Sequence, residues 1–319
     1  MSETTTPPVE LRAPGIERWR EGGSGVDWVH VLDAPYPGPT VMVQALTHGN
    51  EICGAIALDW LLASGFRPRR GRLVLAFGNV AAYARFDPLD PFPSRCVDED
   101  FNRVWADEML AGPRDSVELR RARALRPFVD GADLLLDIHS MSEACPPLMV
   151  CGTVDKNAAF SRALGVPELL LIDTGHPAGL RMVERGGFGD PASPRQALLI
   201  ECGQHWERAA GEVAIDTLVR FLGLAGVADA AWVAANLRLP LPQRQRLLRV
   251  TEAVVARSSA FRFLIPTPAL GVIEKAGTPL AQDGDHVWTT PYDGCVLVMP
   301  GTRSLKAGGT AVRLGRYED

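Results

Sequence analysis

Cysteine is scarce in this chain of 319 residues: Cys53, Cys96, Cys145, Cys151, Cys202 and Cys295 stand singly, with no CxxC pair. That pattern excludes a small disulfide-stapled scaffold and points to reduced thiols. Long apolar runs are missing too. None approaches the about 18 residues that a membrane-spanning helix needs. Charge of one sign is not in excess either, because 33 Lys and Arg against 38 Asp and Glu leave a net −5. Without a basic surplus there is no general attraction to phosphate backbones or acidic bilayers, so neither nucleic acid nor a membrane is an expected partner. The opening stretch, residues 1–23, is polar and acidic where an export signal is basic and then apolar, and a cytoplasmic location is expected.

What is present is the balance of an ordinary globular protein: 46% hydrophobic, 22% charged, with mean hydropathy +0.02. Short apolar runs bounded by turn residues read as buried strands at Val41–Leu46, Leu73–Phe77, Leu134–Ile138, Leu148–Val150 and Ala197–Ile200. Between them, helical spacing covers Cys53–Ser64, Ser116–Val129, Asn157–Leu164 and Trp206–Leu224, with a further patch at Asp229–Leu237. Strands alternating with helices predict an α/β sheet covered on both faces. Pro240, Pro242 and the basic stretch Arg244–Arg249 punctuate the chain. Beyond them only short runs recur: 252–257, 262–265, 271–274, 286–290, 295–299 and 310–314. The expected division is a larger α/β domain over 1–245 and a small β-rich domain over 246–319. The Gly186–Gly189 stretch reads as a flexible loop.

Histidine is also sparse, at six residues, so a histidine-based site has few candidates. His48 follows the run Val41–Leu46 and opens Thr47-His48-Gly49-Asn50-Glu51; His139 ends Asp133–His139; Glu201 ends Ala197–Ile200 in the same way. In an open α/β sheet, ligand sites form beyond the carboxyl ends of the strands, where all three fall. A hydrolytic zinc takes three ligands from His and carboxylate at roughly 2.0–2.2 Å and keeps a position for water. His48, Glu51 and His139 would supply that set. The water's pKa then falls from about 15.7 toward about 7, and a separate carboxylate must carry its proton, a role for which Glu201 is free. An HxxE spacing alone is common by chance, and the convergence of several such residues gives it weight. His30, His205 and His286 lack strand-end partners and read as surface or packing residues. His176 lies in a loop and reads as structural.

The segment Arg95–Arg103 is either a solvated charged loop or a clamp in which a planar guanidinium grips a carboxylate with two hydrogen bonds. Composition alone leaves both readings open.

Taken in order, His48-Gly49-Asn50-Glu51, Arg95, Asp100-Phe101-Asn102-Arg103, Asp137-Ile138-His139 and Glu201-Cys202-Gly203 resemble the succinylglutamate desuccinylase/aspartoacylase family. The likeness covers about residues 40–225, with a looser match to the family's C-terminal domain. It implies a zinc carboxypeptidase-like fold, a mixed sheet flanked by helices with a smaller C-terminal β domain. It also implies one Zn2+ per chain on His48, Glu51 and His139, with Glu201 as general base and acid. Arg95 would polarise the scissile carbonyl, and Asn102 and Arg103 would bind a substrate carboxylate. Asp98 and Asp100 would orient the arginines or a histidine. The implied reaction is attack of zinc-bound water on the amide of a small N-acyl amino acid or related N-acyl amine bearing a carboxylate. Members that cleave a dicarboxylic substrate use a further arginine before the catalytic glutamate. Arg181, Arg185 and Arg195 lie in that stretch, with Arg185 the candidate for substrate contact and the choice among them open.

Two other readings compete. A metallocarboxypeptidase acting on short peptides would use Asn102 and Arg103 on a terminal carboxylate, although the resemblance implies a tail that narrows the mouth of the site and favours small substrates. A non-catalytic metal- or metabolite-binding protein is the other, and the completeness of the residue set speaks against it. Lys275 and Lys306 sit in no recognisable carrier turn, so the tail reads as structural. Co, Mn or Ni could replace zinc on the same ligands. Oligomers are common among such enzymes, and a homo-oligomer is compatible with the sequence.

Overall fold

The computed structural model describes residues 6–173, 175, 178–301 and 305–318. In chain order the elements are β1 (Val29–Asp33), β2 (Tyr36–Ala45), α1 (Ile52–Ala63), β3 (Arg70–Phe77), α2 (Val80–Tyr83), α3 (Asp107–Ala111), α4 (Val117–Gly131), β4 (Leu134–Met141), β5 (Leu148–Val150), α5 (Asp155–Leu164), β6 (Leu169–Ile172) and β7 (Gln196–Gln204). They continue with α6 (Arg208–Leu224), α7 (Ala230–Asn236), β8 (Arg246–Val255), β9 (Arg262–Phe263), β10 (Val272–Ile273), β11 (Pro279–Asp283), β12 (His286–Thr289), β13 (Cys295–Val298) and β14 (Thr310–Glu318).

The expected mixed α/β sheet is present. Eleven strands run in the order β1-β3-β2-β4-β7-β5-β6-β8-β14-β13-β10, and a separate three-stranded sheet pairs β12, β11 and β9. β3, β2, β4 and β7 are mutually parallel, while β5 pairs antiparallel to β7 and β1 antiparallel to β3. The C-terminal strands continue this sheet: β8 lies parallel to β6, and β14 pairs antiparallel to β8.

Period-two alternation distributes side chains to the two faces. Val41, Val43, Leu136, Ile138, Leu198 and Ile200 pack under α1 and α6, whereas Met42, Leu135, Ala197 and Leu199 pack under α4. Helices on both faces explain why the central strands are apolar on both sides and read as continuous runs in the sequence. Asp137, His139 and Glu201 fall in the second alternation, on the α4 side of the sheet.

The connection after β2 crosses to β3 on one side, and the chain then returns past β2 to form β4 on the other. This reversal opens a crevice at the carboxyl ends of β2 and β4, where a ligand site is expected in such sheets. No helix among the described residues is long and apolar enough to cross a membrane. The six cysteines are unpaired. Gly186–Phe188 forms a short 3-10 turn around buried Phe188, in place of the flexible loop expected from its glycines.

Candidate active site

β2 is followed directly by Leu46, whose backbone sits in the left-handed region at φ 58. An apolar residue rarely adopts that conformation, and such strain recurs where a chain must be re-aimed at a site. Here it turns Thr47 and His48 toward β4. Glu51 then occupies the N-terminal cap position of α1. His139 and Glu201 are register partners on adjacent parallel strands, so the sheet itself sets them side by side.

His48, Glu51 and His139 are all buried, and their ligand atoms lie within 4.8 Å of one another. His48 Nδ1 is 2.7 Å from Glu51 Oε1, and His139 Nδ1 is 2.9 Å from Glu51 Oε2. The outward ring nitrogens are held by other carboxylates: His48 Nε2 lies 3.0 Å from Asp100 Oδ1 and His139 Nε2 2.7 Å from Asp137 Oδ2. The Thr47 hydroxyl donates to Asp137 Oδ1 at 2.7 Å and in turn accepts from Gln44. A carboxylate behind each imidazole fixes ring and tautomer and leaves Nδ1 pointing inward, the arrangement that suits a histidine-ligated metal. Two nitrogens and a carboxylate oxygen converging in a buried site are a donor set that fits zinc.

The electrostatics follow from this packing. Burial by itself would raise the pKa of Glu51, but the two imidazoles overrule it and hold the carboxyl well below the usual range. Burial would lower His139, yet Asp137 and Glu51 keep it well above an ordinary histidine. Glu201 goes the other way, because burial pushes its carboxyl well above the usual carboxylate range against the pull of His139. Its Oε2 is buried without a hydrogen-bond partner. It is the acid of the site that most readily carries a proton.

Arg95 reaches the same cluster. Its Nη2 donates to Asp100 Oδ2 at 3.1 Å and lies 2.9 Å from His48 Nε2, and Nη1 is 3.4 Å from Glu51. The polar loop that carries it is drawn inward by buried Glu118, which accepts from the backbone of Val97 (2.6 Å), Asp98 (3.0 Å) and Glu99 (3.3 Å). Gly49 lets the two loops touch: its N–H donates to the Arg95 carbonyl, and a Cβ there would lie 2.4 Å from backbone atoms of Ala82, Tyr83 and Ser94. Gly49→Ala is therefore expected to cost about 1–3 kcal/mol. It should lower the thermal midpoint and reduce turnover further than the folded fraction explains, by displacing Arg95; an unchanged midpoint would show that the loop yields.

These residues open onto a cavity of about 210 Å³, lined also by Asn102, Arg103, Arg181, His205 and Arg313. It is small against typical pockets for drug-sized ligands. Asn102 accepts from Met182 N–H at 3.0 Å, leaving its amide nitrogen for the cavity, and Arg103 is braced by the Asn102 carbonyl at 2.7 Å.

Several sequence-based expectations need correction. Arg185 does not line the cavity: it donates to Asp130 (2.6 Å), Asp107 (3.0 Å) and the Trp105 carbonyl (2.8 Å), tying α3 to the end of α4. Arg195 is bonded to the Asp130 carbonyl, and Arg181 is the member of that trio in the cavity wall. Asp98 caps α4 through Val117 N–H rather than orienting a site residue, whereas Asp100 does contact both Arg95 and His48. The tail is not only structural, since Met299 and Arg313 line the cavity. His176 lies outside the described residues. Of the surface and packing roles open to His205, the structure gives the second: it is buried, with Nδ1 2.8 Å from the Ser140 hydroxyl, and it also lines the cavity. Asp137 and Glu118 received no role from the sequence, where nothing distinguishes them from surface acids except their apolar neighbours.

Burial holds the pKa of His205 down to about 3. Below its ordinary value of 6.5 the unfolded chain takes up a proton that the folded chain refuses. The fold then loses up to about 1.4 kcal/mol per pH unit as pH falls through that window. In metal-free protein, denaturant midpoints between pH 7 and pH 5 should fall more steeply for the wild type than for His205→Asn; parallel profiles would contradict this.

A mixed sheet that gathers two imidazoles, a carboxylate and a neighbouring base at its strand ends has the form of a hydrolase. Residues 37–221 match the model of the succinylglutamate desuccinylase/aspartoacylase catalytic domain, and the chain belongs to that family of deacylases. A succinylglutamate desuccinylase of Burkholderia lata is 26% identical over 330 residues, covering 93% of this chain and 85% of the relative. Among solved structures, a succinylglutamate desuccinylase from Vibrio parahaemolyticus superposes with a TM-score of 0.67 at 18% identity, covering 92% of this chain and 87% of that one. The product-bound ectoine utilization protein EutE (DoeB) from Ruegeria pomeroyi gives 0.61 at 18% identity, covering 90% and 88%. At such identities the structures speak for the fold alone.

Proposed function

We propose that this chain is a zinc-dependent amidohydrolase that removes the acyl group from a small N-acyl amino acid or related N-acyl amine. The observation that carries the reading is the convergence of buried His48, Glu51 and His139 beside Glu201, whose Oε2 has no partner. His48, Glu51 and His139 would hold the ion. Bound there, zinc supplies a Lewis acid for the amide carbonyl and lowers the pKa of a water.

The remaining steps belong to side chains. Glu201 takes the proton of the attacking water and hands it to the departing nitrogen; its raised pKa suits a group that must hold a proton part of the time. Arg95, fixed by Asp100, places positive charge where the carbonyl oxygen becomes anionic. Asp137 and Asp100 keep the two imidazoles turned inward. Asn102 and Arg103 bind a substrate carboxylate, which orients the amide over the site. The cavity of about 210 Å³ favours small substrates over peptides. The C-terminal segment 246–319 acts as the cover that limits this size.

The test is elemental analysis of untagged protein, with and without dialysis against zinc, followed by amine release from a panel of N-acyl amino acids. About one zinc per chain and turnover of the panel are expected. No stoichiometric metal under either condition would remove the metallohydrolase reading.

A further inference from the structure

A second cavity, of about 480 Å³ against about 210 Å³ for the active one, lies beside it at the same end of the sheet. β5 runs antiparallel to β7 and pairs Leu148 with Glu201, so the residues entering β5 stand next to the carboxyl end of β7. Consecutive residues divide between the two hollows. Cys145 lines the active cavity and Pro146 and Pro147 the second; Ala269 lines the active cavity and Leu270 the second. One thickness of chain therefore separates them. Leu270 sits in the left-handed region at φ 60, with its N–H donating to the Leu297 carbonyl at 2.8 Å. An apolar residue keeps so unfavourable a backbone only where its surroundings enforce it.

The walls are mostly apolar, with Val166, Pro167, Leu169, Val213 and Leu241 among them. Three charged residues border the hollow: Glu168, Asp216 and Arg246. Asp216 is spent on the fold, since it accepts from Arg220 at 2.6 Å and from the N–H groups of Arg238 (2.8 Å) and Leu239 (3.0 Å). Glu168 is exposed. Arg246 differs from both. Register sets it opposite Leu169, its guanidinium lies 3.6 Å from the centroid of the Tyr317 ring, and its Nε is buried without a hydrogen-bond partner. No carboxylate of the described residues pairs with it. A guanidinium stacked on a ring leaves its in-plane donors open, and a buried donor without a partner is costly. A carboxylate in that plane would satisfy the fork while an apolar body covers the walls.

We propose that this cavity is a second ligand site, which takes a small amphipathic monoanion: an apolar chain or ring bearing one carboxylate, gripped by Arg246. Its volume falls within the about 300–1,000 Å³ of small-molecule pockets. Arg246 and Tyr317 lie outside residues 37–221, so the match to the catalytic domain assigns them nothing. Binding here requires no turnover, so this site and the deacylase reading can fail separately.

The experiment is titration calorimetry on zinc-loaded protein with octanoate and 4-phenylbutyrate, and with the neutral counterparts octanamide and 4-phenylbutanamide. Wild type is compared with Arg246→Met, Val213→Trp and Arg103→Met. The wild type should bind at least one of the acids saturably, once per chain, and about tenfold or more tighter than its amide. Arg246→Met should erase that preference. Val213→Trp, which fills the hollow from the α6 side, should weaken acid and amide alike by about tenfold or more. Arg103→Met should leave acid binding within about threefold, because Arg103 belongs to the active cavity. No saturable binding to the wild type, or equal binding of acid and amide, overturns the proposal whether or not the variants fold. Acid binding that is lost in Arg103→Met and kept in Arg246→Met also overturns it, by placing the acid in the active cavity. Sedimentation of the wild type and Val213→Trp covers the remaining occupant: a dimer that binds no acid and becomes monomeric in Val213→Trp would give the hollow to a second copy of the chain.

Discussion

Glu201→Gln should retain about one zinc per chain and lose three to four orders of magnitude in kcat, with KM changed little. The substitution keeps the shape of the side chain and its seat on β7, beside His139 in register. What it removes is the capacity to take a proton. Glu201 does not belong to the metal cluster, so metal content should not follow activity down. Its own environment makes the loss severe: burial raises the carboxyl's proton affinity, and Oε2 has no partner that could substitute for it. Elemental analysis and steady-state kinetics on the same preparation decide the matter. A fully active Glu201→Gln protein would sink the proposed mechanism, and a metal-free one would move Glu201 into the ligand set.

The opposite dissociation is expected when a ligand is removed. Glu51→Ala and His139→Ala should each abolish stoichiometric metal and reduce turnover to background, because two donors hold zinc far more weakly than three. Glu51 has the greater reach, since it meets both imidazoles and Arg95. Without it the cluster keeps two histidines and a guanidinium with no carboxylate between them. Asp137→Asn is expected to weaken metal binding less, by about 10–100-fold, through loss of the charge behind His139. Loading should also release protons. Asp137 and Glu51 hold a proton on His139 more tightly than on a free histidine, and ligation must displace it. Metal affinity is therefore expected to fall as pH falls. Competition against a chelator at pH 8, 7 and 6 reads the trend, and a flat series would contradict it.

Much of the central sheet was legible because its strands are buried on both faces and so appear as unbroken apolar runs. Leu148–Val150 coincides with β5, and Asn157–Leu164 falls within α5. Less visible were β1 and β6. β1 runs from buried Val29 and His30 to exposed Asp33 along a short edge with no period-two alternation, and β6 is only four residues long. The basic stretch Arg244–Arg249 looked like punctuation, yet Arg246–Val255 is strand β8; Arg246 stacks on Tyr317 and Arg249 pairs with Glu318 and Asp155, so charges tolerated at the surface of a strand disguised it.

The same contrast holds at the site. His48, His139 and Glu201 stand at the ends of apolar runs, and the end of a strand in an α/β sheet carries functional meaning that residue order alone reveals. Arg185 and Arg181, by contrast, are four residues apart in one polar segment, and nothing local distinguishes the arginine that ties α3 to α4 from the one in the cavity wall.

By itself the sequence determined the class of fold and pointed to His48, Glu51 and His139 as a group that could hold a metal, with Glu201 beside them, because residue type and strand-end position are local properties. Only the tertiary structure decided which carboxylates stand behind the imidazoles, that Glu118 draws the Arg95 loop inward, and that Arg313 from the last strand lines the cavity. Those are contacts between segments remote in the chain, and the packing of one sheet against its helices, rather than any spacing along the backbone, brings them together.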